Sequence, residues 1–233
     1  MKEVKYIDLG RISYKKAWDV QESFFEDVIR EKTMNRQKQE YSGPKHYLLF
    51  FFFFFFYTLG KSGKENNLLI NPDFLKKIDA EYYKTNRGGD ITYHGPGQVV
   101  GYPILDLNDL NFGIKEYIHK LEEVIIKTTE YYGILAERLD GATGVWVRKG
   151  TISEKICSIG VRASRYVTMH GFALNVNTDL TYFDYINPCG FTDKKVTSIS
   201  KELNKEIDFE ETKKIARSFF EQVFQIKLSN GTD

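Results

Sequence analysis

Lys155-Ile156-Cys157-Ser158-Ile159-Gly160-Val161, continued through Ala163-Ser164-Arg165 into the run Val167–Val176, decides how the chain folds. Two apolar runs joined by a short polar turn read as a hairpin. Strict alternation puts Lys155, Cys157 and Ile159 on one face of the first run, with Ile156, Ser158 and Gly160 on the other. Working outward, Thr143–Val147 is a preceding strand, Tyr47–Leu59 is strand-like, and Val4, Tyr6, Ile7 and Leu9 mark a first strand. Helices are fewer. One follows Ser13, with Trp18, Phe24, Phe25, Val28 and Ile29 on its apolar face, and Glu31–Lys45 reads as a polar loop. Asn71-Pro72 starts a short helix. A longer one is expected between an Asn111 cap and Gly133, with the stripe Ile114, Ile118, Leu121, Val124, Ile125 and Tyr132. A last helix begins at Asp208, where Glu211 completes a capping-box pattern and Ile215, Phe219, Phe220 and Val223 face the core. The expected class is α/β (α+β): a mixed, largely antiparallel sheet flanked by helices.

The chain's 233 residues suit one domain spanning 1–233. Charged residues make up 28% and hydrophobic residues 42%, which is globular composition and excludes disorder as the main state. A net charge of +1 argues against a general nucleic-acid binder. Two cysteines make neither a disulfide framework nor a four-thiolate zinc site. The opening Met1-Lys2-Glu3-Val4-Lys5 leads into a mixed segment and not an apolar one, so no signal peptide is expected, and no apolar stretch is long enough for a membrane span. A cytoplasmic, reducing setting is the default expectation.

Phe50–Phe56 is an unbroken run of seven phenylalanines. A strand alternates faces, so the run must be buried on both sides, because an exposed one invites aggregation. A buried strand is the plain reading; a wall for an acyl chain is the functional one.

Three further segments carry chemistry. Arg87-Gly88-Gly89-Asp90-Ile91-Thr92-Tyr93-His94-Gly95-Pro96-Gly97-Gln98 holds four glycines and a proline in twelve residues, which demands unusual dihedrals or close approach to a ligand. Lys155 opens an apolar strand, where its ammonium needs a partner, a task or a route to water. Cys189, between Pro188 and Gly190, sits on a predicted turn and is the reachable thiol, whereas Cys157 lies in an apolar strand and fits an inert role. A thiol is a poor nucleophile unless activated, and a nearby lysine ammonium favours the thiolate.

The ordered set R-G-G-x-x-T-Y-H-G-P-G-Q, G-V-W-V, K-I-C-S-I-G-V-R, H-G-F-A-L-N-V-N and I-N-P-C-G, from Arg87 to Gly190, resembles the lipoyl(octanoyl) transferases of lipoate biosynthesis. Tyr6-Ile7-Asp8-Leu9-Gly10 and Tyr57-Thr58-Leu59-Gly60 fit as well, so the resemblance covers nearly the whole chain. It implies a biotin/lipoate protein ligase-like fold. It also implies an activity: transfer of an octanoyl or lipoyl group from acyl carrier protein to a lysine of lipoyl domains, through a cysteine thioester. Acceptors of this class are the lipoyl domains of 2-oxoacid dehydrogenases and the glycine cleavage H protein. The resemblance places the acyl-carrying cysteine at Cys189 and the catalytic lysine at Lys155. The substrate-lining positions it implies are Arg87, Gly88, Gly89, Asp90, Ile91, Thr92, Tyr93, His94, Ser158, Ile159, Gly160, Gly171, Phe172 and Ala173. One departure stands out: where the family carries an apolar-Glu-His-Pro-x-Val segment, this chain has Phe51–Phe56.

The expected chemistry needs no cofactor beyond the carrier's phosphopantetheine arm, and no metal, nucleic acid or membrane. Backbone N–H groups around Gly160 are candidate oxyanion donors. His94 is either a positioning group or a hydrogen-bonded structural histidine. Two other readings share the fold or the site: an ATP-dependent lipoate or biotin ligase, which does not need the cysteine, and a non-catalytic module that binds lipoyl domains or acyl carriers.

Overall fold

The computed structural model describes residues 1–38, 45–52, 54–187 and 195–231, the side chains of 36–38 excepted. Among the described residues, twelve strands and five α-helices run in the order β1 (Lys2–Arg11), α1 (Tyr14–Lys38), β2 (Tyr47–Phe52), β3 (Phe56–Leu59), α2 (Pro72–Lys77), β4 (Glu81–Lys84), β5 (Ile91–His94), β6 (Gln98–Ile104), α3 (Ile114–Tyr131), β7 (Ala136–Leu139), β8 (Ala142–Lys149), β9 (Ile152–Ser164), β10 (Val167–Asn175), β11 (Lys195–Val196), α4 (Ile199–Leu203), α5 (Phe209–Phe224) and β12 (Ile226–Asn230). The large sheet has the order β12-β1-β2-β6-β10-β9-β8-β7, with β11 pairing β9 beside that path, and a small sheet has the order β4-β3-β5. In the large sheet β1 is parallel to β12 and β2, β11 is parallel to β9, and the other pairings are antiparallel. The expected mixed, largely antiparallel sheet flanked by helices is present.

One core cluster joins the sheet to α3 and α5 through Leu121, Val124, Ile125, Phe220 and Phe224; a second joins it to α1 through Ala17, Phe25 and Val28. A third holds the small sheet together around Tyr57, Tyr93 and Phe183. The phenylalanine run spans two sheets. Phe50 turns into the first cluster and Phe51 into the second, so both faces of β2 are buried. Phe56 then starts β3, and Phe54 is exposed beneath the Arg11 guanidinium, 4.0 Å from its ring centre.

Several local expectations are corrected. Glu31–Lys38 is helical, not loop: Thr33 bonds back to the Ile29 carbonyl, and Lys32 reaches Asp106 at 2.6 Å and the Arg165 carbonyl at 2.7 Å. Polar straight-chain residues are good helix formers, so their polarity did not mark a helix end. Helix α3 is capped by Gly113 and not Asn111, which takes φ +58° in the preceding turn; Ile114 is exposed, and Tyr117 takes its place in the buried stripe. Gly133, at φ +76°, follows the helix end as expected. Asp208 caps α5 by accepting from the Glu211 amide at 2.9 Å. Ser164 pairs with Val167, so the β9–β10 turn is Arg165-Tyr166, with φ of +52° and +64°, as a two-residue hairpin twist requires.

The correction that matters most for the site lies in β9. Val145 pairs with Cys157 but Trp146 pairs with Lys155, a bulge that leaves Ile156 extra. Ile156 and Cys157 therefore both join the core, while Lys155 and Ser158 both face a cavity. Uninterrupted alternation, which would have put Lys155 and Cys157 on one face, does not hold.

Candidate active site

A cavity of about 260 Å³ lies over the large sheet, walled by Arg87, Gly89, Asp90, Ile91, Thr92 and His94 on one side and by β9 and β10 on the other. Its floor is built from small residues paired across those strands: Ser158 opposite Ala173 and Gly160 opposite Gly171. Ile159 and Phe172 complete the floor. The wall is fastened to the floor by the Gly88 amide, which donates to the Val161 carbonyl at 2.8 Å, and by the Thr92 hydroxyl, 3.4 Å from that of Ser158. A side chain on Gly160 would meet the Gly88 carbonyl at 3.0 Å, so any larger residue there would press the wall away from the floor.

Arg87 is buried and acts as a latch. Its guanidinium donates to the Thr58 carbonyl at 2.7 Å, the Thr58 hydroxyl, the Gly88 carbonyl and the Asp90 carbonyl. Asp90 in turn accepts from Asn67 and from the Ile91 amide, both at 2.6 Å. His94 stacks on Phe56 with ring centres 4.8 Å apart. Burial, reinforced by the Arg87 charge, lowers its pKa to about 3, so it is a neutral ring at pH 7.

Of the fourteen lining positions expected from the sequence, the structure gathers twelve around this cavity. Gly88 and Tyr93 are not on its walls. Gly88 works through its backbone, as above. Along β5 Thr92 and His94 face the cavity, and Tyr93 turns the other way to stack on Tyr182 at 5.0 Å beside Tyr57. Residues that sequence reasoning did not assign also line it: Tyr102, Gly141, Ala142, Thr143, Trp146, Phe183, Lys195 and Val196. Trp146 stood inside a quoted motif without a role; Tyr102 and Lys195 carried no local signal, because only strand register brings them here. None of the described residues of the phenylalanine run lines this cavity. Phe52 and Phe55 border a separate open groove, so the acyl-wall reading of the run is not supported.

Lys155 sits at the more open end, near exposed Gly141, Thr143 and Lys195. Its Nζ lies 4.6 Å from the Trp146 ring centre, a cation–π placement. The Trp146 indole N–H donates to the Ala142 carbonyl at 3.0 Å, which fixes the ring. Val196 pairs with Lys155, and the Thr197 amide donates to the Lys155 carbonyl at 2.9 Å. Cys157 is fully buried, and burial pushes its thiol pKa far up, so it is no nucleophile at neutral pH. Cys189 lies outside the described residues. The chain on both sides of its segment is fixed near the cavity: Phe183 lines it, the Asn187 amide donates to the Asn67 carbonyl at 2.8 Å, and Lys195 and Val196 line it again.

Residues 13–221 match the lipoyl protein ligase A/B catalytic domain, and the chain belongs to that family. An octanoyltransferase of Christiangramia forsetii is 51% identical, with 97% of this chain and 98% of the relative covered. An octanoyltransferase of Parabacteroides distasonis is 49% identical over 96% of this chain and its own full length. The fold is that of a lipoate protein ligase. The bipartite lipoate protein ligase of Thermoplasma acidophilum superposes with a TM-score of 0.72 at 15% identity, covering 100% of this chain and 88% of that one. A lipoate-protein ligase A bound with ATP gives 0.71 at 17% identity, covering 99% and 89%. Within the family, the full-length relatives assign this chain octanoyl transfer in protein lipoylation: it is an acyltransferase.

Proposed function

We propose that octanoyl transfer proceeds through a thioester on Cys189, with acyl carrier protein as donor and lipoyl domains, including those of 2-oxoacid dehydrogenases and the glycine cleavage H protein, as acceptors in the cytoplasm. The observation that carries this reading is the placement of Lys155: it stands at the open end of an apolar, small-residue-floored cavity, register-paired with Val196 just beyond the Cys189 segment. The Thermoplasma ligase whose fold this chain shares is described together with its E2 lipoyl domain as one lipoylation system, which supports the acceptor class.

In the first half-reaction the Cys189 thiolate attacks the carrier thioester carbonyl. The carbon–sulfur bond to the carrier breaks, and the departing carrier thiolate takes a proton from the Lys155 ammonium. The transient oxyanion needs N–H donors, for which backbone around Gly160 is the proposed source. In the second half, an acceptor lysine amine attacks the Cys189 thioester, an amide forms, and Cys189 leaves as thiolate. The amine's surplus proton returns to Lys155. Both halves balance without metal or nucleotide. Burying the seven chain carbons contributes several kcal/mol of binding, at about 0.8 kcal/mol each.

Intact-mass measurement after incubation with octanoyl carrier tests the step. An octanoyl adduct mapping to Cys189, absent in Cys189→Ser and retained in Cys157→Ser, is expected. An adduct on Cys157, or full transfer by Cys189→Ser, would overturn it. ATP-dependent lipoyl transfer with no adduct would favour the ligase reading.

A further inference from the structure

The cavity has one open end and one closed end. Gly141, Thr143 and Lys195 at the Lys155 end are exposed, whereas Tyr102 at the other is 4% exposed. Between them the floor passes from β9 over β10, through the Ser158–Ala173 and Gly160–Gly171 pairs, to β6, which carries Tyr102. Two inter-strand steps of about 4.8 Å make that crossing roughly 10 Å. An extended eight-carbon chain, with C–C bonds of about 1.5 Å, is about 9 Å long. The closed end therefore lies one octanoyl length from β9.

Tyr102 is held from behind. Phe51 meets its ring edge-on, centres 4.7 Å apart at 82°, and His170 does so at 5.8 Å and 80°. His170 is itself fixed. Its backbone takes the left-handed φ of +61°, its amide donates to Gln21, and its Nε2 lies 2.7 Å from Asn86 Oδ1. Packed aromatic edges of this kind brace the Tyr102 ring against displacement.

We propose that Tyr102 is the stop that sets the acyl chain length, and that Phe51, from the phenylalanine run, holds it in place. This rests on the octanoyl-transfer reading of the cavity. The run thus acts on selectivity from one layer behind the wall, without touching substrate.

The test compares wild type, Tyr102→Ala and Phe51→Leu with hexanoyl, octanoyl, decanoyl and dodecanoyl carrier donors. Equilibrium binding of the matching free fatty acids is measured in parallel. Wild type is expected to favour octanoyl. Tyr102→Ala should raise the decanoyl-to-octanoyl ratio of kcat/KM by up to about fifteenfold, the factor for two further buried methylenes at about 0.8 kcal/mol each. Phe51→Leu should shift it the same way but less. If Tyr102→Ala does not fold, Tyr102→Leu takes its place, and Ala173→Val should move the preference toward hexanoyl. Unchanged ratios in variants that still transfer octanoyl overturn the stop and leave the transfer reading standing. If wild type transfers no acyl group, the transfer reading fails. Binding then decides: a shift to longer acids in Tyr102→Ala upholds the stop, and an unshifted series overturns it.

Discussion

In the proposed mechanism Lys155 carries the proton transfers of both half-reactions, and its placement beside Trp146, with Nζ 4.6 Å from the ring centre, suits a cation. An ammonium about 4 Å from a thiolate gains roughly 4 kcal/mol at an effective dielectric near 20, before desolvation offsets it. Even about 1.4 kcal/mol surviving would change the thiolate equilibrium tenfold. Lys155→Ala should therefore raise the Cys189 pKa and slow its alkylation by iodoacetamide tenfold or more near pH 7, with the difference closing at alkaline pH. Cys157 does not interfere, being fully buried. Lys155→Arg should keep much of the thiolate yet lose transfer, because guanidinium does not release its proton. Superimposable rate–pH profiles for wild type and Lys155→Ala would refute the pairing.

Among the elements, the β8–β9 bulge does what the sequence could not announce. The hairpin, the α5 cap and the Gly-rich wall were legible, because each has a local signature: alternation, Asp208 with Glu211, and four glycines around His94. The bulge was not, because Lys155-Ile156-Cys157-Ser158 fits perfect alternation as written, and only pairing with β8 reveals the extra residue. Likewise Tyr102 and Lys195 reach the cavity by register between distant segments. Gly144 packs directly against the bulge. Its φ is +125°, its amide donates to buried Glu122 at 3.1 Å, and a side chain there would stand 2.6 Å from the Cys157 carbonyl and 3.4 Å from Lys155 Cε. Gly144→Ala should therefore cost about 1–3 kcal/mol of stability through backbone strain, and its clash with the Cys157 carbonyl should push β9, and Lys155 with it, lowering kcat well beyond what the unfolded fraction explains. Gly150→Ala is the control: φ is +62° but the space around it is open, so a cost of about 1–2 kcal/mol with normal kcat is expected. Urea midpoints and steady-state rates separate the two effects, and normal turnover by folded Gly144→Ala would show that the bulge does not position Lys155.

At the scale of the molecule, folding buries three of the four histidines as neutral rings, and this ties stability to pH. Burial lowers His46 to about 4, and burial with the nearby Arg87 charge lowers His94 and His170 to about 3. His46 shows the neutral form in its geometry: Nδ1 accepts the Asp106 amide at 3.2 Å, so the ring's one proton sits on Nε2, 2.9 Å from Asp109. Each folded pKa lies below the unfolded value near 6.5, so the unfolded chain binds more protons as pH falls. Their stabilisation is complete above about pH 6.5 and is lost on acidification toward the folded values. Each histidine contributes a slope of up to about 1.4 kcal/mol per pH unit in that window, and the three together about 4. Most carboxylates titrate lower, so the interval from pH 6.5 to 5 isolates the histidines. Urea unfolding at half-unit steps across it should show this steep fall, with the slope reduced by about a third in His46→Gln. That variant breaks the Asp106 and Asp109 contacts and starts from a lower stability, so the slope and not the midpoint is the diagnostic. A stability that stays flat from pH 6.5 to 5 would mean that the three rings keep access to water or carboxylate partners when protonated, and that their burial is not the source of acid sensitivity.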